Sequence, residues 1–176
     1  MNTFKHFAGK RYEWLQFFLF VACYVLLDYS YFKIPVDVFI NVIYYQGVVR
    51  VCADVINLIA PQEQVSAMHN HLLSSKADLE IVNGCDGAGV IFLLISAILV
   101  FPATIYRKLS GLFFGVGLIY VINLVRIATL YFTFAYQPAW FTLVHTYLAP
   151  TLMVIMASTY FAWWALAISN KRNEPA

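Results

Sequence analysis

From Gly87 to Tyr106 the chain contains no charged side chain, and from Thr146 to Asn170 it again contains none. A helix rising about 1.5 Å per residue needs about 20 mostly apolar residues to cross the hydrocarbon core of a bilayer. Two more stretches qualify with one charge each: Trp14 to Phe32, which holds Asp28, and Leu109 to Ala135, which holds Arg126. Four such stretches leave little sequence for a watery exterior. The 176 residues are 62% hydrophobic and 11% charged, where soluble domains average about 45–50% apolar and about 25% charged. The expected class is an all-α integral membrane protein with about four transmembrane helices. The first stretch is aromatic and has no small-residue cleavage site, so it does not read as a removable signal peptide. Trp14, Tyr31, Tyr106, Trp163 and Trp164 fall near span ends, where amphipathic rings favour the headgroup layer.

The basic residues set the orientation. Lys5, Lys10 and Arg11 precede the first span, Arg107 and Lys108 join the middle two, and Lys171 and Arg172 follow the last. Four spans put all three clusters on one side, which the positive-inside rule makes cytoplasmic, and export the segment from Lys33 to Gly84. Within it, Ile34 to Ala60 is long enough for a fifth span, yet Gln46, Arg50, Asp54 and Asn57 share one helix face. That pattern predicts an amphipathic helix lying in the interface. The runs Val65 to Leu72 and Ala77 to Val82 flank Ser74-Ser75-Lys76, and Leu79 and Ile81 alternate with Asp78 and Glu80. They predict a small extracytoplasmic β-hairpin leading into the second span. Residues 1–170 read as one transmembrane domain and 171–176 as a short polar cytoplasmic tail.

A net charge of +2 is too small and scattered to suggest a nucleic-acid partner. The three cysteines have neither disulfide-framework nor zinc spacing, and Cys23 and Cys52 read as small buried hydrophobes. Cys85 differs, because Asn83-Gly84-Cys85-Asp86-Gly87 is a glycine-flanked turn opening a helix, a setting that lowers a thiol pKa. Cys85 lies roughly 31 Å of helix rise from Tyr106, and Arg126 roughly 27 Å from Lys108. His145 opens the last span. The three therefore gather at one depth, near the outer surface, on consecutive helices. A thiolate attacks a carbonyl, a histidine moves protons near neutral pH, and a fixed cation stabilises developing charge. Arg126 can hold the oxyanion or depress the thiol pKa. Asn123, one turn earlier on the same face, can orient Arg126, bind substrate backbone, or simply bond another helix. His69 and His71 alternate onto one strand face; without a third ligand they read as a wetted face rather than a metal site, and no metal or cofactor is expected.

Around these residues the sequence resembles the exosortase/archaeosortase family of membrane-embedded cysteine transpeptidases. The resemblance rests on Gly84-Cys85-Asp86-Gly87, Phe101-Pro102, Lys108-Leu109-Ser110-Gly111, Asn123-Leu124-Val125-Arg126-Ile127, His145 and Ala149-Pro150-Thr151, in that order. It covers roughly Val65 to Trp164 and is closest to the short stand-alone members, the exosortase M type. It implies a catalytic set of Cys85, Arg126 and His145, with Asn123, Gly84, Gly87 and Asp86 in support. Asp86 stands where larger members often have Ser or Thr, and their extra spans and appended domain are missing here. The resemblance further implies residence in a bacterial inner membrane with the site facing the periplasm. The partners it implies are the bilayer, a membrane-anchored exported protein with a C-terminal tripartite sorting signal, and an acceptor that is an unidentified amine or water.

The competing expectation is a non-enzymatic component of an envelope polysaccharide or protein export assembly, with Cys85 a turn residue and Arg126 and His145 structural or lipid-binding. A transporter fits less well, since one intramembrane arginine offers little of an ion path and no broken-helix pair is visible.

Overall fold

Apolar stretches become helices here, and Pro61, Pro102 and Pro138 mark places where they stop or start. The structure, a computed structural model, describes residues 2–82 and 84–173. Asn83 of the glycine-flanked turn and residues 174–176 of the polar tail lie outside the described residues. Helix α1 is Asn2–Phe32, and α2 runs over 36–59, with wide π-turns over Phe39–Val49 before a regular stretch, Arg50–Ile59. Strands β1 (Ser66–Met68), β2 (His71–Leu73) and β3 (Asp78–Glu80) follow. Helix α3 is Ala88–Val100, α4 is Ile105–Tyr136, and α5 covers 138–173, with a π-helical insert at Val144–Leu148. The described residues fold almost entirely as helices, with one small sheet. Glu13–Phe32, Ile40–Ile59, Ile105–Tyr136 and Pro138–Ser169 are each long and apolar enough to cross a bilayer.

That set of four differs from the one read off the sequence. The expected span from Gly87 to Tyr106 is a helix of 13 residues that ends at Val100. Phe101 turns extended, with ψ at 137°, because the residue before a proline is pushed out of the helical region and Pro102 follows it. The last helix begins at Pro138, not at Thr146. Proline is favoured at a first helical position, where its missing N–H costs nothing. The expected tail is also partly helical, as α5 continues to Asn173. Helix α2 is the fourth long apolar helix, although both of its flanks sit at the same end of the bundle. Tyr31, just before it, donates to Asp86 beside Cys85, and Glu63, just after it, is held by Tyr131 and Tyr136 on α4.

The expected hairpin is a three-stranded antiparallel meander, ordered β1-β2-β3. The run from Val65 to Leu72 folds back on itself at His69-Asn70, bringing Met68 opposite His71. His69 takes a left-handed φ of 54° to make that turn. The two histidines therefore do not share a strand, and His71 Nδ1 lies 2.7 Å from Asp78 Oδ1. Leu72 and Leu79 pair across β2 and β3 and are buried, together with Val65 and Ile81.

The interior is divided in two. At the end away from the sheet, α3, α4 and α5 pack around Leu94, Ile98, Ile119, Met153, Ala157 and Trp164. Trp164, expected at a headgroup layer, is buried instead, and Gly111 is what admits it: a Cβ there would lie 2.4 Å from the indole Nε1. Small residues at such crossings let membrane helices approach closely. At the sheet end, α2 and the sheet bury Cys52, Ile56, Leu72 and Ile81 against Leu124, Ile127 and Tyr131 of α4. Helix α1 packs on α3 alone among the stronger helix pairings. Most of its outward aromatic and aliphatic side chains are exposed, Phe18 and Leu26 among them, an exterior suited to lipid rather than water.

Glu63, 2% exposed, locks the sheet to α4. It accepts from Lys76 Nζ at 2.8 Å and Tyr131 Oη at 3.1 Å, and Tyr136 also donates to it. Lys76 and the two tyrosines hold its carboxyl below the usual carboxylate range. A depressed native pKa means that ionised Glu63 stabilises the fold fully above the ordinary value of about 4.3. That contribution is lost as pH falls through the lower native value. Thermal unfolding in detergent from neutral to acid pH is expected to show this loss. Glu63→Gln should melt lower at neutral pH and with a flatter pH dependence; an unchanged acid slope would show that Glu63 does not carry it.

Candidate active site

Three separate elements deliver the site. The loop before α3 carries Cys85, the middle of α4 carries Asn123 and Arg126, and the π-helical insert of α5 carries His145. Cys85 Sγ lies 3.8 Å from His145 Nδ1 and 3.9 Å from Nε2. Arg126 Nη2 approaches the same sulfur at 4.0 Å. The near-equal distances to the two ring nitrogens leave either able to take the thiol proton after a small ring rotation. Phe141, one turn earlier, stacks on the imidazole at 5.4 Å and 11°, which holds the ring plane. Single π-turns within helices often occur at functional sites, and this one sets the direction of His145.

The cysteine loop is built to approach α4 without a side chain in the way. Gly84 and Gly87 both have left-handed φ, 91° and 81°. A Cβ on Gly87 would stand 2.9 Å from Asn123 Cγ. Asn123, 1% exposed, accepts from Arg126 Nη1 at 3.4 Å, and the same nitrogen donates to Gly84 O at 3.5 Å. One asparagine therefore fills the space under the loop and aims the guanidinium at it. Asp86 is buried, accepts from Ala88 N at 3.4 Å, and takes a hydrogen bond from Tyr31 of α1. Tyr31 also sets its ring edge against Phe92 at 5.3 Å.

Cys85 lies before the first turn of α3, and its own N–H bonds Val82 O at 2.9 Å. The helix-terminus effect expected from sequence fades beyond the first turn. Burial prevails, pushing the thiol above its ordinary value, with Arg126 pulling it down and Asp86 pushing it up. The group is thus a protonated thiol at rest, in contact with a base and a cation.

Beside Arg126 a groove of about 340 Å³ opens between α4 and α5. Apart from Arg126 and Thr129 its walls are aliphatic, including Ile122, Val125, Leu148 and Leu152. Val125, Leu148 and Leu152 are exposed on its rim, so it faces outward, toward lipid in a bilayer. Arg126 Nε is buried without a hydrogen-bond partner, and no carboxylate pairs with this guanidinium among the described residues. The other cysteines lie elsewhere: Cys52 approaches Leu124 O at 3.8 Å in the sheet-end core, and Cys23 is part-exposed on α1. Among the described residues no cluster of three or more His, Cys, Asp or Glu is arranged to hold a metal ion.

Tyr31 and Phe141 are the site residues that sequence reasoning did not single out. From sequence, Tyr31 reads as an interfacial aromatic. The available signal was its position on the first span, at the depth of Cys85. Comparison with protein-family models, curated proteins and solved structures gives no match. The resemblance to exosortases therefore stands on the motifs alone.

Two outcomes test this geometry. Gly87→Ala should destabilise the protein by about 1–3 kcal/mol through overpacking against Asn123, seen as a lower melting temperature, and should slow alkylation of Cys85. Alkylation by a small haloacetamide should accelerate with pH and inflect above about 8.5, the free-thiol value. Arg126→Gln should move that inflection up and Asp86→Asn should move it down; shifts in the opposite directions would show that these charges do not act on the thiol.

Proposed function

We propose that the protein is a membrane-embedded cysteine protease or transpeptidase, acting on exported, membrane-anchored proteins through a thioester on Cys85. The observation that carries this reading is the meeting of thiol, imidazole and guanidinium within 4.0 Å, from three elements distant in sequence. In the reaction, His145 takes the thiol proton as Sγ attacks the scissile carbonyl. Arg126, whose Nη2 lies 4.0 Å from the sulfur, stabilises the oxyanion. The C–N bond then breaks, His145 returns the proton to the leaving amine, and the acyl group stays on Cys85. An acceptor amine or water attacks next and restores the thiol.

A substrate anchored by its own apolar helix reaches such a site by lateral movement in the bilayer, and the groove beside Arg126 opens in the direction it would come from. The resemblance supplies the substrate class, exported proteins with a C-terminal tripartite sorting signal. The basic residues at 5, 10, 11, 107, 108, 171 and 172 support an orientation with the sheet and Cys85 outside an inner membrane. Helix α2, flanked at both ends by sheet-end contacts, then lies along the outer layer rather than across the membrane.

Co-expression with a signal-bearing substrate should give release of its C-terminal tail and a thioester on Cys85 detectable by intact mass. Cys85→Ala should abolish both, and His145→Ala should slow release by about 10²–10⁴-fold. Undiminished release by Cys85→Ala would end the proposal.

A further inference from the structure

Strand β3 is one edge of the sheet, paired with β2 on one side and, among the described residues, with no strand on the other. Its ladder has a definite parity. Ser74 N bonds Ala77 O at 2.9 Å, Ile81 N bonds Asn70 O at 2.7 Å, and Leu72 stands opposite Leu79. Ala77, Leu79 and Ile81 thus spend their backbone groups on β2, Asp78 and Glu80 turn theirs outward, and Val82 continues that row with its O taken by Cys85 N. All three outward residues are exposed. Exposed edges of this kind are templates for another extended chain.

The edge also leads to the nucleophile. Val82 O accepts from Cys85 N, so the outward row ends one tight turn from the thiol. At about 3.3 Å per residue, a segment laid along 78–82 covers roughly 17 Å and its next residues arrive at Cys85. The edge is acidic as well. Glu80 has Asn70 Nδ2 at 3.1 Å and Asp78 has His71 at 2.7 Å, and no lysine or arginine neutralises either among the described residues.

We propose that this edge is the recognition strand for the polypeptide that Cys85 attacks. An extended segment of the substrate adds to β3 through main-chain hydrogen bonds, with basic side chains beside Asp78 and Glu80, and the peptide bond that follows is presented to the thiol. The inference rests on the acyl-transfer reading of the site and adds to it a binding mode and a sequence preference.

The test uses the full chain in nanodiscs and short acetylated peptides ending in a chloroacetamide, with Cys85 labelling followed by intact mass. The alternating Lys-Val peptide is expected to label Cys85 about tenfold faster than the alternating Glu-Val peptide, through charge complementarity. N-methylation of its alternate amides should erase that advantage. Glu80→Pro removes one outward N–H and leaves the β2 ladder intact; it should cost the Lys-Val peptide its advantage while labelling by free chloroacetamide stays at the wild-type rate. Glu80→Gln should weaken the preference for Lys-Val but keep the sensitivity to N-methylation. Equal rates for methylated and unmethylated Lys-Val peptides would overturn strand addition even with the thiol fully reactive. Failure of free chloroacetamide to modify Cys85 at all would instead remove the acyl-transfer reading, and this inference with it.

Discussion

The contact of Gly87 with Asn123 is the point on which the site depends. With a would-be Cβ 2.9 Å from Asn123 Cγ, only glycine lets the start of α3 rest on α4 at this height. Asn123 is one helical turn from Arg126. The same contact that seats the loop therefore brings Gly84 O and Cys85 Sγ within reach of the guanidinium. Any side chain at position 87 lifts the loop and separates nucleophile from cation. The left-handed backbone at Gly84 and Gly87 is what this close approach requires.

Helix α4 then relates the site to the rest of the molecule. Its 32 residues rise about 48 Å, well beyond the ~30 Å hydrocarbon core. One half packs in the helical core with Trp164 against Gly111; the other carries Tyr131 and Tyr136, which hold Glu63 and the sheet. Arg126 lies between the two. The sheet is thus fixed to the same helix that carries the cation, and its β3 edge has a constant relation to Cys85. Tyr31 makes the corresponding link from α1, through Asp86.

Uncharged stretches were enough to read an apolar helical protein, and helix rise brought Cys85, Arg126 and His145 together even though the count ran past the helix end at Val100 and the last helix starts at Pro138. Geometry that depends on turns was harder to see. The break at Pro102 was visible as a residue, but its effect was hidden by the apolar sequence on both sides. The turn at His69-Asn70 uses a histidine at positive φ, where glycine or asparagine is the usual sign. Side-chain pairings outside the Cys85, Arg126 and His145 set were not legible. Tyr31 looks like any interfacial tyrosine until Asp86 is seen beside it, and Glu63 looks solvent-exposed until Lys76, Tyr131 and Tyr136 close over it. The wide π-turns of α2 and α5 have no periodicity signal of their own in so apolar a sequence.

The raised thiol pKa gives these contacts a common meaning. A buried cysteine that stays protonated at rest gains no reactivity from a standing thiolate, so proton removal has to accompany attack. That requires a base already touching the sulfur, and the π-helical insert puts both nitrogens of His145 within 3.9 Å. It also requires a cation for the negative charge that then develops, and Arg126 reaches the same atom without a carboxylate partner of its own among the described residues. A site assembled this way reacts slowly with small electrophiles and needs a carbonyl seated between sulfur and guanidinium to act at full rate. Such restraint would suit the proposed nucleophile among the esters and amides of a bilayer. Selectivity then rests on what can bring a carbonyl to that position.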